Sequence, residues 1–265
     1  MACRDAYKKI LMSKTADTAM VAVNVSQKVG RLLFGVESKV CSYVLLQNNI
    51  THFEWVTRNK IPPIFWGRNI LGKNHLTKEE INFLHRKGCK IAATCQSSAP
   101  KKTEEQGKEM GKQAVSTALK LGIPRLNAIF LEIDQNEDVK RDYMKGYATA
   151  LLNEGYTPAF KSNTDAKFSF DREFSRGMQT DREIFNKCLI WATAPILKEY
   201  ERMTTTHLIH PDNWKPFAPS AMTRKEIAVW QYGKDCHPIE DDNENGTTFN
   251  INLVRNEQVI IEKMF

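Results

Sequence analysis

Residues 126–134, Leu-Asn-Ala-Ile-Phe-Leu-Glu-Ile-Asp, constrain the fold of this chain more than any other stretch. Six of the nine are apolar, and two carboxylates close the run. A short run rich in Ile and Leu predicts a buried strand. Side chains alternate along a strand, so Ile129, Leu131 and Ile133 share one face. Ala128, Phe130, Glu132 and Asp134 share the other. A strand apolar on both faces belongs in a parallel sheet covered by helices. The two acids stand i, i+2, with Cα atoms roughly 6.5–7 Å apart. Like charges side by side at a buried strand end oppose stability, so they point to function. In α/β sheets and barrels, chemistry sits at that C-terminal end.

The flanking sequence repeats the pattern. Strand candidates fall at residues 32–37, 64–69, 89–96, 156–160, 188–193, 227–232 and 249–253. Between the first five, helical stretches are expected at 43–57, 77–88, 104–121 and 136–153. Thr77 with Glu80 forms a capping box, and Gly88 and Gly122 stop their helices. Beyond residue 160 the connections read as loops: 161–185 is polar and irregular, 204–225 carries three prolines, and only 196–203 has helical character. Eight strands alternating with helices predict a single (β/α)8 TIM-type barrel over residues 31–265, its second half loop-rich with few regular helices. Residues 1–30 read as an N-terminal extension. At 265 residues the chain has the size of one such barrel.

Composition narrows the classes. No apolar run approaches the roughly 20 residues of a membrane span. No secretory signal is visible at the N-terminus. The net charge of +7 reads as a mildly basic surface, without a basic arm or zinc finger to suggest nucleic acid. Six cysteines at positions 3, 41, 89, 95, 188 and 236 form no Cys-x-x-Cys pair, so core thiols are expected. His207 and His210 beside Asp212 read as loop, and residues 241–244 as a solvated acidic turn. No glycine-rich phosphate loop occurs, and neither a metal nor a cofactor is called for.

The candidate chemistry gathers at strand ends. Glu37 closes the first strand as Glu132 and Asp134 close the fourth. Neighbouring carboxylates in different surroundings can divide the work between a proton donor and a base, nucleophile or charge stabiliser. Gln96, Gln231 and Asn250 are strand-end amides suited to substrate hydroxyls or to satisfying backbone groups, and Arg68 is suited to substrate or to an ion pair with one of the acids. Trp191, Trp230 and Tyr232 offer rings on which sugars stack, or else fill the core.

Several of these pieces, in order, resemble the glycoside-hydrolase-like family known as domain of unknown function 1906. Gly35-Val-Glu37, Phe65-Trp-Gly-Arg68, Phe130-Leu-Glu-Ile-Asp134, Gly155-Tyr-Thr-Pro158, Trp230-Gln-Tyr232 and Phe249-Asn-Ile-Asn-Leu253 carry the likeness. More distantly the chain is similar to the family-25 glycoside hydrolases, which are cell-wall muramidases. The resemblance implies a barrel acting on peptidoglycan or a related polysaccharide. Asp134 would then be the acid, Glu132 would orient or stabilise charge, and Glu37 would assist. It also implies a secreted or cell-wall location, where the bare sequence suggests a cytoplasmic one. The muramidases read Asp-x-Glu where this chain reads Glu132-x-Asp134, and Glu37 replaces an Asp. Those exchanges leave a non-catalytic glycan-binding barrel as the alternative. The oligomeric state is not legible.

Overall fold

The computed structural model describes residues 32–46, 49–58, 62–96, 100–197, 211–238 and 247–265. These fall in the compact unit Leu32–Phe265. The N-terminal extension, the helical stretch beyond residue 197, His207, His210 and the acidic turn at 241–244 lie outside the described residues.

Eight strands close into a barrel in chain order. They are β1 (Leu33–Glu37), β2 (Phe65–Asn69), β3 (Lys90–Cys95), β4 (Ala128–Ile133), β5 (Thr157–Ser162), β6 (Leu189–Ala192), β7 (Val229–Cys236) and β8 (Phe249–Val254). Strands β1 to β7 are parallel neighbours. The eighth corrects an all-parallel expectation, since β8 runs antiparallel to both β7 and β1. Only residues 237–248 join β7 to β8. At twelve residues this connection stands at the lower limit for a parallel crossover, which usually carries a helix, whereas an antiparallel return needs as few as about two.

Around the strands lie α1 (His52–Thr57), α2 (Lys78–Arg86), α3 (Glu104–Leu121), α4 (Arg141–Asn153), α5 (Ser169–Thr180), α6 (Arg182–Phe185) and α7 (Glu257–Lys263). Thr51, Thr77 and Thr103 cap α1, α2 and α3 through their side chains, and Gly122 ends α3 in the left-handed conformation. The α1 region is much shorter than the pattern at 43–57 suggests. The polar stretch 161–185 corrects in the other direction. It holds α5, which buries Phe170, Phe174 and Gly177 while polar and charged residues fill most of its other positions. That i, i+4, i+7 spacing is the helical signal that the polarity concealed. Helices α3 and α4 touch through glycines. A Cβ on Gly107 would lie 2.0 Å from the Tyr143 carbonyl oxygen, and one on Gly146 would lie 2.0 Å from that of Glu104.

The barrel interior is filled in two tiers. The lower tier is apolar: Phe65, Ala92, Phe130, Ala159 and Trp191 are buried together, with Ile260 of α7 and Met264 just after it in the same cluster. Phe130 and Phe65 meet the Trp191 ring edge-on, with centroids 5.3 and 6.1 Å away. Small residues make room for the rings, since a Cβ on Gly35 would lie 2.0 Å from the Phe65 ring. The outward residues of β4, namely Ile129, Leu131 and Ile133, join the larger core beneath the helices. Alternation along β4 thus puts Glu132 inside the barrel, one step above Phe130. Among the described residues no helix is long and apolar enough to cross a membrane.

Candidate active site

Three strands bring charge to the upper tier. Glu37 ends β1, Glu132 lies one residue from the end of β4, and Lys161 lies one from the end of β5. All three stand at the C-terminal face of the parallel strands. The Lys161 ammonium is buried, with Nζ 2.5 Å from Glu37 Oε1 and 3.3 Å from Glu132 Oε1. The near oxygens of the two carboxylates therefore stand within about 6 Å of each other. Asn250 of β8 donates to Glu37 Oε2 at 2.9 Å. Lys161 also sits 5.3 Å above the Trp191 ring, and Trp191 Nε1 donates to Asn252 Oδ1 at 3.0 Å. Burial works against the ammonium, but the charges of Glu37 and Glu132 and their hydrogen bonds outweigh it. Its pKa is raised, and it stays charged at neutral pH.

Above this group opens a cleft of about 710 Å³. Glu37, Arg68, Thr94, Gln96, Glu132 and Asn250 line it, as do Glu137 and Lys161. Glu37 is nearly enclosed, with 8% of its side chain exposed, and both its oxygens are taken. Glu132 is 30% exposed, and among the described residues its Oε2 has no partner. It is the member of the pair that can touch a ligand.

The other sequence candidates are distributed differently. Asp134 lies just past β4, exposed and outside the cleft lining. Its Oδ1 accepts from the Asn136 amide at 2.9 Å. Trp191 is the floor of the site rather than its wall. Trp230 and Tyr232 face outward into the core under the helices, where Trp230 Nε1 donates to the Pro195 carbonyl at 3.1 Å. Gln231 is buried and outside the lining. No aromatic ring lines the cleft among the described residues.

Two site residues escaped the sequence reading. Lys161 stands in a stretch read as the start of a polar loop, yet it continues β5. Its alternation with Ala159 puts it inside the barrel, and a lysine in phase with a barrel interior was the available signal. Glu137 closes the β4 loop: Oε1 pairs with the buried Lys101 at 2.5 Å, and Oε2 accepts the Asp134 amide at 2.9 Å.

Arg68 alternates to the outer face of β2, beside the cleft. Its Nε pairs with Glu80 Oε1 of α2 at 2.9 Å, both side chains buried. Its two terminal nitrogens donate to the carbonyls of Ser38 at 2.9 Å and Asn74 at 2.8 Å. Glu80 also accepts the Ser42 amide at 2.7 Å. One ion pair thus ties the β1 and β2 loops to α2. Replacing Glu80 by Gln strands a buried guanidinium and is expected to cost about 3 kcal/mol in denaturant unfolding. The double variant Arg68→Met/Glu80→Leu should lie closer to wild type.

His52, behind this pair, packs edge-on against Trp66 with ring centroids 5.5 Å apart. Burial, helped by the Arg68 charge, pulls its pKa down to about 4 against a smaller opposing pull from the nearby Val40 and Cys41 backbone. The unfolded chain takes a proton near pH 6.5 that the folded chain refuses until about pH 4. Stability from this group is therefore complete above pH 6.5 and falls as the pH drops towards 4, by about 3 kcal/mol. Unfolding midpoints at pH 7.0, 5.5 and 4.5 should show the decline, and His52→Phe should flatten it.

Cys41, Cys89, Cys95 and Cys188 are free thiols. Burial pushes the Cys95 thiol up to about 12, and those of Cys89 and Cys188 further. No group of His, Cys, Asp and Glu among the described residues has the arrangement of a metal site.

The closed barrel with acids gathered at its C-terminal face is a glycoside-hydrolase-like domain. The chain belongs to the family described as Rv2525c-like, glycoside hydrolase-like domain, which it matches over residues 65–251. No curated protein matches it in sequence. In structure it is similar to an uncharacterised protein of B. stearothermophilus, with TM-score 0.71 and 22% identity, over 88% of this chain and 100% of that one. It also resembles the catalytic domain of endolysin ply40 from bacteriophage P40 of Listeria monocytogenes, with TM-score 0.50 and 12% identity, over 87% and 96% of the two chains. The modular autolysin LytC of Streptococcus pneumoniae gives TM-score 0.50 and 11% identity, over 84% of this chain and 46% of LytC. Identities this low speak for the fold alone.

Proposed function

We propose that the cleft acts on a bacterial cell-wall glycan or a related polysaccharide by carboxylate chemistry. The observation that carries this reading is the convergence of Glu37 and Glu132, from separate strands, on one buried ammonium beneath an open cleft. Glu132, with one oxygen free, would support positive charge at the reacting carbon. The proton for the leaving oxygen would come from Asp134, on the loop after β4, while Glu137, with one oxygen on Lys101 and the other accepting the Asp134 amide, would hold that loop. Asp134→Asn and Glu137→Gln separate those roles, because only loss of the donor should slow release of a poor leaving group much more than an activated one. The reading is tested by incubating the protein with peptidoglycan and with chitin-type polymers and counting new reducing ends.

A second reading is a barrel that binds glycan without cleaving it. It is favoured by the ammonium, which compensates both carboxylates at once, and by the place of Asp134 outside the cleft lining. Glycan retained on the protein with no new reducing ends would select it.

A further inference from the structure

We propose that the rim of the cleft carries an anion subsite, built on Lys39 and Lys73, for a carboxylate or phosphate borne by the glycan. The inference rests on the glycan reading above and names the class of glycan. Both lysines line the cleft and are exposed, Lys39 on the β1 loop and Lys73 on the β2 loop. The other cations around the cleft are committed: Lys161 to Glu37 and Glu132, Lys101 to Glu137, and Arg68 to Glu80. Lys39 and Lys73 have no side-chain partner among the described residues.

Their backbones are held by the same buried group. Arg68 donates to the carbonyl of Ser38, next to Lys39, and to that of Asn74, next to Lys73. The β2 loop is closed further by the Leu76 amide on the Asn69 carbonyl at 2.8 Å and the Leu71 amide on Asn69 Oδ1 at 2.9 Å. Two uncompensated ammonium groups are thus presented from anchored loops on one cleft. A second observation points the same way. The described lining offers no ring for a neutral sugar to stack on, and the contacts it does offer are mainly polar and ionic.

The test measures binding on a Glu132→Gln background, so that turnover does not interfere. The probes are neutral chitotetraose, a tetrasaccharide alternating N-acetylglucosamine with N-acetylmuramic acid, and chitotetraose bearing a 6-phosphate. One or both charged probes should bind more tightly than chitotetraose, and the tighter one identifies carboxylate or phosphate as the group taken. Lys39→Ala/Lys73→Ala should weaken the charged probe roughly twentyfold and chitotetraose little. Lys39→Arg/Lys73→Arg should retain most of the preference. Added salt should erode it. Equal affinity for charged and neutral probes, or a preference that survives Lys39→Glu/Lys73→Glu in a folded variant, overturns the subsite and leaves the glycan reading intact. No binding of any probe overturns both.

Discussion

Lys161→Met is expected to destabilise the protein by about 3–5 kcal/mol. The substitution keeps most of the side-chain volume but removes a buried positive charge that two carboxylates share. Glu132 can turn to water. Glu37 cannot, because it is nearly enclosed and would keep only the Asn250 amide. A buried charge that loses its partner costs several kcal/mol, whereas removing both partners costs far less. Set against a total of about 5–15 kcal/mol for a typical domain, the loss is a large share. Glu37→Gln/Lys161→Met should therefore recover most of what Lys161→Met loses. Denaturant midpoints for the wild type, both singles and the double close the cycle. If the double is no more stable than Lys161→Met alone, the pair does not couple as the geometry requires. A pH limb gives a second check. The raised Lys161 pKa adds stability that is complete below about pH 10.4, the ordinary lysine value, and is lost as pH rises through the folded value.

The largest functional effect is expected at Glu132. Glu132→Gln keeps the size and leaves Lys161 paired to Glu37, so stability should change by less than about 1 kcal/mol. Activity should respond very differently. The variant removes the one carboxylate of the pair with an oxygen open to the cleft. Stabilisation of charge at a reacting centre by a single preorganised group contributes on the order of 10²–10³ in rate, and a carboxylate facing an oxocarbenium-like state belongs at the upper end or beyond. Reducing-end release should fall by at least about 10³-fold, with glycan affinity changed far less. Loss of binding in parallel with loss of rate would instead make Glu132 a ligand-holding residue.

Much of this geometry could be read from residues. The alternation in 126–134 puts Glu132 on the face opposite Ile129, Leu131 and Ile133, because side-chain phase is a local property of a strand, and the closed barrel makes the Glu132 face the inner one. The glycoside-hydrolase-like resemblance and the closed eight-stranded barrel follow from the same pieces. Long-range partners were less legible. Nothing near Arg68 in the chain says that its charge is met by Glu80 on the outer face, since that depends on where α2 docks. Asp134 continues the strand phase on paper, but β4 stops at Ile133 and the Glu137 carboxylate caps the turn that follows. Trp230 and Tyr232 look like sugar platforms at a strand end. Their phase along β7 sends them to the helix side. Lys161 was hidden by its polar neighbours, although Ala159 and Lys161 share the phase that faces the barrel centre.

The most direct measurement follows bound glycan and new reducing ends in the same samples of wild type and Glu132→Gln. The account predicts that both proteins hold the glycan and that only the wild type severs it at an appreciable rate. Equal release by the two proteins would contradict it.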